Sequence, residues 1–249
     1  MPMSNDDLQI SVDNIYYADL DSSGEISVDG VIFADLAGAE ESGEWGSNGY
    51  GTYKIPPETN LKQYYIKGEY TDEHFGTGKV IAPIEGNDDS KNDRFYVMSL
   101  DDFTTENYTT FYWYYNAYGN LDSSYNVSGS ANDFAVVGAE PTGRVNTERM
   151  IASWNSSQYG AQNARDMWGV IQEEVANGWF VPSKSEWSAF GAAFGITNSN
   201  YSITFGLSHD YWSSSQYNTS RAYIANSNGG NIYDSPVLGP SSVRLATTF

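Results

Sequence analysis

The 249-residue chain contains no cysteine. That absence excludes a disulfide scaffold, a thiol nucleophile and any Cys-ligated zinc or iron–sulfur centre. Histidine is nearly missing too, with only His74 and His209, in unrelated segments. Basic residues are scarce: 12 Lys and Arg face 32 Asp and Glu, a net charge of −20. Non-specific binding to nucleic acid or to an anionic membrane needs clustered cations, so both are disfavoured. No apolar run approaches the roughly 18 residues of a membrane span. The opening, Met1-Pro2-Met3-Ser4-Asn5-Asp6-Asp7, has neither the basic start nor the apolar stretch of a secretory signal.

What is present is unevenly spread. Residues 1–140 hold 25 of the acids and six bases, whereas residues 141–249 hold seven acids and six bases. In the last 49 residues only Asp210, Arg221, Asp234 and Arg244 are charged, and Ser, Asn and Tyr fill 19 positions. Strand-like pieces such as Arg221–Ala225 and Ser242–Thr247 interrupt that segment, so it reads as folded strands with an unusual surface. Tyr with Ser, Gly and Asn is the composition of antibody-type binding surfaces, where Tyr supplies rigid amphipathic area and the small residues adapt.

Strand patterns occur at Ile10–Leu20, Val31–Leu36, Tyr64–Ile66, Lys79–Ala82, Arg94–Met98 and Thr110–Tyr115. Alternation along the last would put Phe111, Trp113 and Tyr115 on one face and Tyr112 and Tyr114 on the other. Helical spacing appears in Thr147–Trp154, in Gln162–Ala176 with Gly178 as its stop, and after Ser183. Ser183-Lys184-Ser185-Glu186 is a capping box, followed by Trp187, Phe190 and Phe194 on one face and by Gly195. Strands, then helices, then strands, without βαβ alternation, predict an α+β fold. A single domain over 1–249 is expected: an acidic strand-rich part to about residue 140, then helices and a ligand-binding segment.

The strings Gly178-Trp179-Phe180-Val181-Pro182-Ser183-Lys184-Ser185-Glu186-Trp187, Asp210-Tyr211-Trp212-Ser213-Ser214-Ser215-Gln216-Tyr217 and Val243-Arg244-Leu245-Ala246-Thr247-Thr248-Phe249 carry a resemblance. Together they resemble bacterial and phage proteins with a C-type-lectin fold of the formylglycine-generating-enzyme type, and most of all the variable proteins of diversity-generating retroelements. Gly30–Leu36 and Asn92–Leu100 also look like members of that group. The resemblance implies a few helices packed against small antiparallel sheets, and a non-enzymatic scaffold for ligand binding. In such proteins a C-terminal segment is mutagenised at adenine-rich codons, so that exposed side chains vary while the core is kept. It implies fixed scaffold at Trp212, Ser213, Ser214, Val243 and Leu245. The implied hypervariable contacts are His209, Asp210, Tyr217, Asn218, Arg221, Tyr223, Asn226, Asn228, Asn231, Tyr233 and Asp234. The implied ligand is a protein or glycan receptor on a host or bacterial cell surface. A phage tail or a carrier protein would present the chain, placing it on a virion or a cell surface.

The chain departs from two relatives. Without cysteine it lacks the copper-binding pair of formylglycine-generating enzymes. The calcium-lectin signatures are incomplete at Glu140-Pro141-Thr142 and Trp154-Asn155-Ser156. No cofactor is therefore expected. Asp19-Leu20-Asp21-Ser22-Ser23-Gly24 matches half of a calcium loop but has Gly30 at its twelfth position, and reads as a hairpin turn with a Ca2+ site as the alternative. Asp72-Glu73-His74 reads as a solvated surface cluster rather than a catalytic one. The rival functions are a fixed carbohydrate-binding module using Trp113 or Tyr114, and a sugar-active enzyme built on two of the many carboxylates.

Overall fold

The computed structural model describes residues 15–20, 26–84, 90–122 and 142–249. Its strands are β1 (Ile15–Leu20), β2 (Ile26–Asp35), β3 (Glu41–Glu44), β4 (Thr52–Ile55), β5 (Tyr64–Asp72), β6 (Gly76–Pro83), β7 (Phe95–Ser99) and β8 (Phe111–Tyr112). Helices α1 (Thr142–Asn155), α2 (Met167–Val170), α3 (Gln172–Ala176) and α4 (Lys184–Ala193) follow. The chain then returns to strands: β9 (Asp210–Asn218), β10 (Arg221–Asn226), β11 (Asn231–Pro236), β12 (Pro240–Ser241) and β13 (Ala246–Thr248). The architecture is mixed α+β, with few helices and small, largely antiparallel sheets. Among the described residues no helix is long and apolar enough to cross a membrane.

The largest sheet has six strands in the order β13-β7-β2-β1-β6-β5, and only β1 and β6 run parallel. The end of the chain thus pairs with its beginning through β7. The Phe249 carbonyl accepts from the Arg94 and Phe95 amides at 2.8 and 3.0 Å. Beside it, β9, β10 and β11 form an antiparallel sheet with β10 in the middle.

Both faces of this smaller sheet are buried. Tyr211, Tyr223, Ala225 and Ile232 join a core with Trp187 and Phe190 of α4, Trp45, and Val31 and Phe33 of β2. Trp212, Ala222 and Ile224 join a second core with Phe111, Trp113, Trp168 and Val243. Its strands therefore carry apolar side chains toward two cores, and only the ends and edges of the sheet reach solvent.

Helix α4 follows from its own sequence. The Ser183 hydroxyl accepts from the Glu186 amide at 3.2 Å and the Glu186 carboxylate accepts from the Ser183 amide at 2.7 Å. Gly195, at φ +57°, occupies the left-handed conformation that ends the helix. The Gln162–Ala176 expectation needs correction: the segment holds two short helices, broken at Ile171. Asp166 sets the late start of the helical segment at Met167. Its buried carboxylate accepts from the Asn163 and Tyr115 amides and from the Trp154 indole at 2.8–2.9 Å, which fixes residues 163–166 as a loop.

The Thr110–Tyr115 strand is also shorter than its pattern. Pairing ends at Tyr112, and Tyr115–Ala117 turn into a 3-10 helix. Alternation is lost there: Phe111, Trp113 and Tyr114 are all buried, while Tyr115 is exposed. Helix α1 starts at Thr142, earlier than the Thr147 its spacing suggested.

Candidate functional site

The motif Tyr211-Trp212-Ser213-Ser214-Ser215 lies on β9, where the strand parts from β10. Trp212 pairs with Ile224 and Gln216 with Ala222, so three serines oppose the single residue Tyr223. Each serine side chain finds a partner, Ser213 on β10 and the other two on the helices. The Ser213 hydroxyl donates to the Tyr223 carbonyl at 2.8 Å, Ser214 Oγ accepts from Asn146 Nδ2 at 3.3 Å, and Ser215 Oγ accepts from the Lys184 amide at 3.1 Å. Three indoles secure the same region: Trp113 Nε1 donates to the Ser213 carbonyl, Trp187 Nε1 to Trp212 and Trp212 Nε1 to Phe111. Val243 and Leu245 are buried beside them. This is a rigid floor, with every buried bulge serine satisfied.

The eleven residues implied as contacts divide between the two ends of the sheet. At the β9–β10 end stand Tyr217, Asn218, Arg221, Tyr223 and Asp234. The rings of Tyr217 and Tyr223 meet edge-on at 5.3 Å, and Tyr50 completes a triangle at 6.2 and 5.7 Å. Arg221 pairs with the Asp234 carboxylate and donates to its carbonyl at 2.7 Å. The hydrogen bond that the Tyr217 hydroxyl shares with Tyr50, and then the charge Tyr50 carries when ionised, raise the Tyr217 phenol above its ordinary pKa. Asn218 serves the turn itself, its Oδ1 accepting from the Ser220 amide at 2.9 Å.

At the other end Asp210, Asn226 and Asn231 form one row across the three strands, because Asn226 pairs with both neighbours. Asp210 Oδ1 accepts from Asn226 Nδ2 at 2.6 Å, and Asp210 Oδ2 lies 3.2 Å from His209 Nδ1. Asn228 occupies the turn that ends at Gly230, φ +61°. Tyr233 hydrogen-bonds Asp210; burial, then the Asp210 charge and that bond, push its phenol up to about 12. The unfolded phenol ionises near 10 and the folded one near 12. Tyr233 therefore stabilises the fold below pH 10, and this contribution is lost as pH rises toward 12. Asp210→Asn should bring the Tyr233 pKa down toward 10, readable by NMR titration of ring-labelled tyrosine; an unchanged value would refute the Asp210 contact.

Two of the eleven depart from the expected exposure. Tyr223 and Asn226 are only 9% and 8% exposed. They lie on the central strand, covered by Tyr50 and Tyr217 in one case and by the Asp210 row in the other. Both act as supports for their neighbours.

The sequence reading missed the segment Trp45–Gly51. It brings Tyr50 to the tyrosine triangle and Asn48 to the β11 edge, where Asn48 Nδ2 donates to the Ile232 carbonyl at 2.5 Å. Its string Trp45-Gly46-Ser47-Asn48-Gly49-Tyr50-Gly51 has the same Gly, Ser, Asn and Tyr composition as the C-terminal segment, and that was the available signal. A groove of about 440 Å³ opens between Trp45–Gly46, the end of α4 and the Gly229–Gly230 turn, next to Asn228 and Asn231.

Other candidates resolve locally. Asp72-Glu73-His74 forms the β5–β6 turn, with Asp72 Oδ1 accepting from the His74 and Phe75 amides at 2.8 and 2.9 Å. His74 packs on Gly206, where a Cβ would come 2.4 Å from Nε2. Trp113 and Tyr114 are fully buried, so neither can stack a sugar. Most of the Asp19–Gly24 loop, and Glu140-Pro141, lie outside the described residues. Among the described residues no group of three or more His, Asp or Glu could hold a metal ion.

No protein-family model matches the sequence, and neither does any curated protein. Among solved structures the chain is similar to a fimbrial protein from Bacteroides ovatus ATCC 8483, with 18% identity and a TM-score of 0.39 over 63% of this chain. The match spans 36% of that protein's length.

Proposed function

We propose that the chain is a non-enzymatic binding protein of the retroelement-diversified type. In this reading it has a C-type-lectin fold of the formylglycine-generating-enzyme kind, and the two ends of its C-terminal sheet are varied to recognise cell-surface receptors. The observation that supports it is the division of labour along β9, β10 and β11. Buried, bonded scaffold residues and solvent-reaching Tyr, Asn, Asp and Arg side chains occupy the same short strands. Substitution at the ends would change the ligand while leaving the fully buried residues of both cores in place, although Tyr217 and Tyr233 pack against their margins. Tyr217, Tyr233 and the fixed Tyr50 would anchor the ligand, and Arg221, Asp234, Asn228, Asn231 and His209 would adapt. Several copies on a phage tail or a carrier protein would strengthen weak single sites by effective concentration.

A display library randomised at His209, Tyr217, Arg221, Asn228, Asn231 and Asp234 tests this. Clones selected on different bacterial cells should differ in target yet melt close to the parent. Removing the half-exposed Arg221–Asp234 pair, for instance, should cost no more than about 1 kcal/mol. Unfolding of most clones, or one shared target across them, would defeat the proposal.

A further inference from the structure

A second surface, outside the segment proposed to vary, is built around Arg165. Its guanidinium carbon lies 5.3 Å from the ring centre of Tyr108 and 5.2 Å from that of Tyr112. Arg165 Nε donates to the Thr110 carbonyl at 2.7 Å, and Nη2 donates to the Thr110 hydroxyl. Its own carbonyl accepts from the Tyr112 amide at 3.0 Å, so backbone and side chain are both held. Three of the five guanidinium N–H groups make no hydrogen bond within the described residues.

Lys54, Lys62, Lys79, Arg94, Arg221 and Arg244 each sit beside a carboxylate. Arg165, like Lys67, Lys91 and Arg149, has none within ion-pair distance among the described residues, and it differs from them in being held between two tyrosine rings. The nearest sequence acid, Asp166, is turned into the core and fully occupied by N–H donors. A fixed, unneutralised guanidinium is a preorganised fork for one carboxylate.

Aromatic rings continue from it. Tyr112 and Tyr115 meet at 4.7 Å, Tyr115 is 42% exposed and Tyr118 is 54% exposed. Tyr108, Tyr112 and Arg165 are partly exposed beside them, and the groove described above lies elsewhere, at Trp45 and Gly230. Open tyrosine rings suit the C–H faces of a pyranose better than a peptide side chain that needs an enclosing pocket. We propose that Tyr108, Tyr112, Tyr115 and Arg165 form a fixed recognition surface for a carboxylated sugar, a uronate or sialate residue of a surface glycan. This surface does not depend on the diversified reading, and every natural variant should share it.

Titration calorimetry at physiological ionic strength, where charges beyond about 8 Å are screened, tests the proposal. The probes are trigalacturonate, its carboxyl-reduced counterpart galactotriose, 3′-sialyllactose, lactose and a tetra-glutamate peptide. At least one acidic sugar should bind with a Kd of about 1 mM or tighter, and which one binds identifies the source of the carboxylate. Its neutral counterpart should bind about tenfold more weakly, a difference one charge-assisted pair supplies. Tyr115→Ala, at an exposed ring, should lose about tenfold in affinity with no change in melting temperature. Arg165→Gln should abolish the preference for acid over neutral sugar, and Arg165→Lys should restore little of it. Equal binding of acidic and neutral sugars would overturn the proposal. So would binding of the peptide in place of the sugars, or no sugar binding at about 10 mM, well beyond the expected Kd.

Discussion

Glu186→Ala should cost about 3–5 kcal/mol, because two buried amide donors lose their acceptor at once. Glu186 Oε2 accepts from the Ser183 amide at 2.7 Å and Oε1 from the Gly143 amide at 3.1 Å. The residue is completely buried, so water cannot replace it. One carboxylate thereby closes the capping box of α4 and ties α4 to the start of α1. For a chain of this size the loss corresponds to a fall in melting temperature of roughly 10 °C. Gly143→Ala should act in the same direction, since a Cβ would stand 2.3 Å from Glu186 Oε2 and 2.8 Å from the Val181 carbonyl oxygen. Thermal melts of the two variants check this, and a loss below about 1 kcal/mol for Glu186→Ala would show that the tie is not formed.

Trp212→Ala should be comparably damaging, at about 3–5 kcal/mol. The ring is fully buried in the second core, and its Nε1 donates to the Phe111 carbonyl at 2.8 Å. Truncation opens a cavity between β9, β8 and α2 and removes that hydrogen bond. Trp212→Phe keeps most of the volume and should cost about half as much. The informative contrast lies five residues on. Tyr217→Ala, on the same strand but at the end of the sheet, should cost about 1 kcal/mol or less. Denaturant unfolding of the three variants measures both sides of the division between floor and contacts. A Tyr217→Ala loss as large as that of Trp212→Ala would erase it.

Much of the fold was legible wherever local chemistry decides the conformation. The α4 helix could be read from Ser183, Glu186 and Gly195, because a capping box and a left-handed stop are satisfied within a few residues. Val31–Asp35, Lys79–Ala82 and Phe95–Met98 were legible as strands because their apolar runs are buried whatever pairs with them. The scaffold positions Trp212, Ser213, Ser214, Val243 and Leu245 are all buried.

What escaped was set at long range. The helical spacing of Gln162–Ala176 is overridden by Asp166, which reaches the Tyr115 amide across 51 residues and also stops the Thr110–Tyr115 strand. The resemblance implied exposed contacts at Tyr223 and Asn226, whereas β10 is the central strand and is covered on both faces, which is why the two are supports. Tyr50 sits 167 residues from Tyr217 in sequence, and only tertiary packing brings the two rings together. The serine run at 213–215 could be recognised as a motif, but the bulge that turns it toward α1 and α4 depends on the register with β10.

In the proposed function, natural variation is confined to the ends of the C-terminal sheet while its floor stays constant. Deep sequencing of the 3′ end of the gene across a population of its source, together with the neighbouring DNA, tests this most directly. The account predicts substitutions at adenines in codons such as those of Tyr217, Arg221, Asn228, Asn231 and Asp234, with Trp212, Ser213, Ser214 and Val243 unchanged. It also predicts a near-identical template repeat and a reverse transcriptase alongside. A uniform sequence with no template nearby, or variation spread equally over floor and ends, would contradict it.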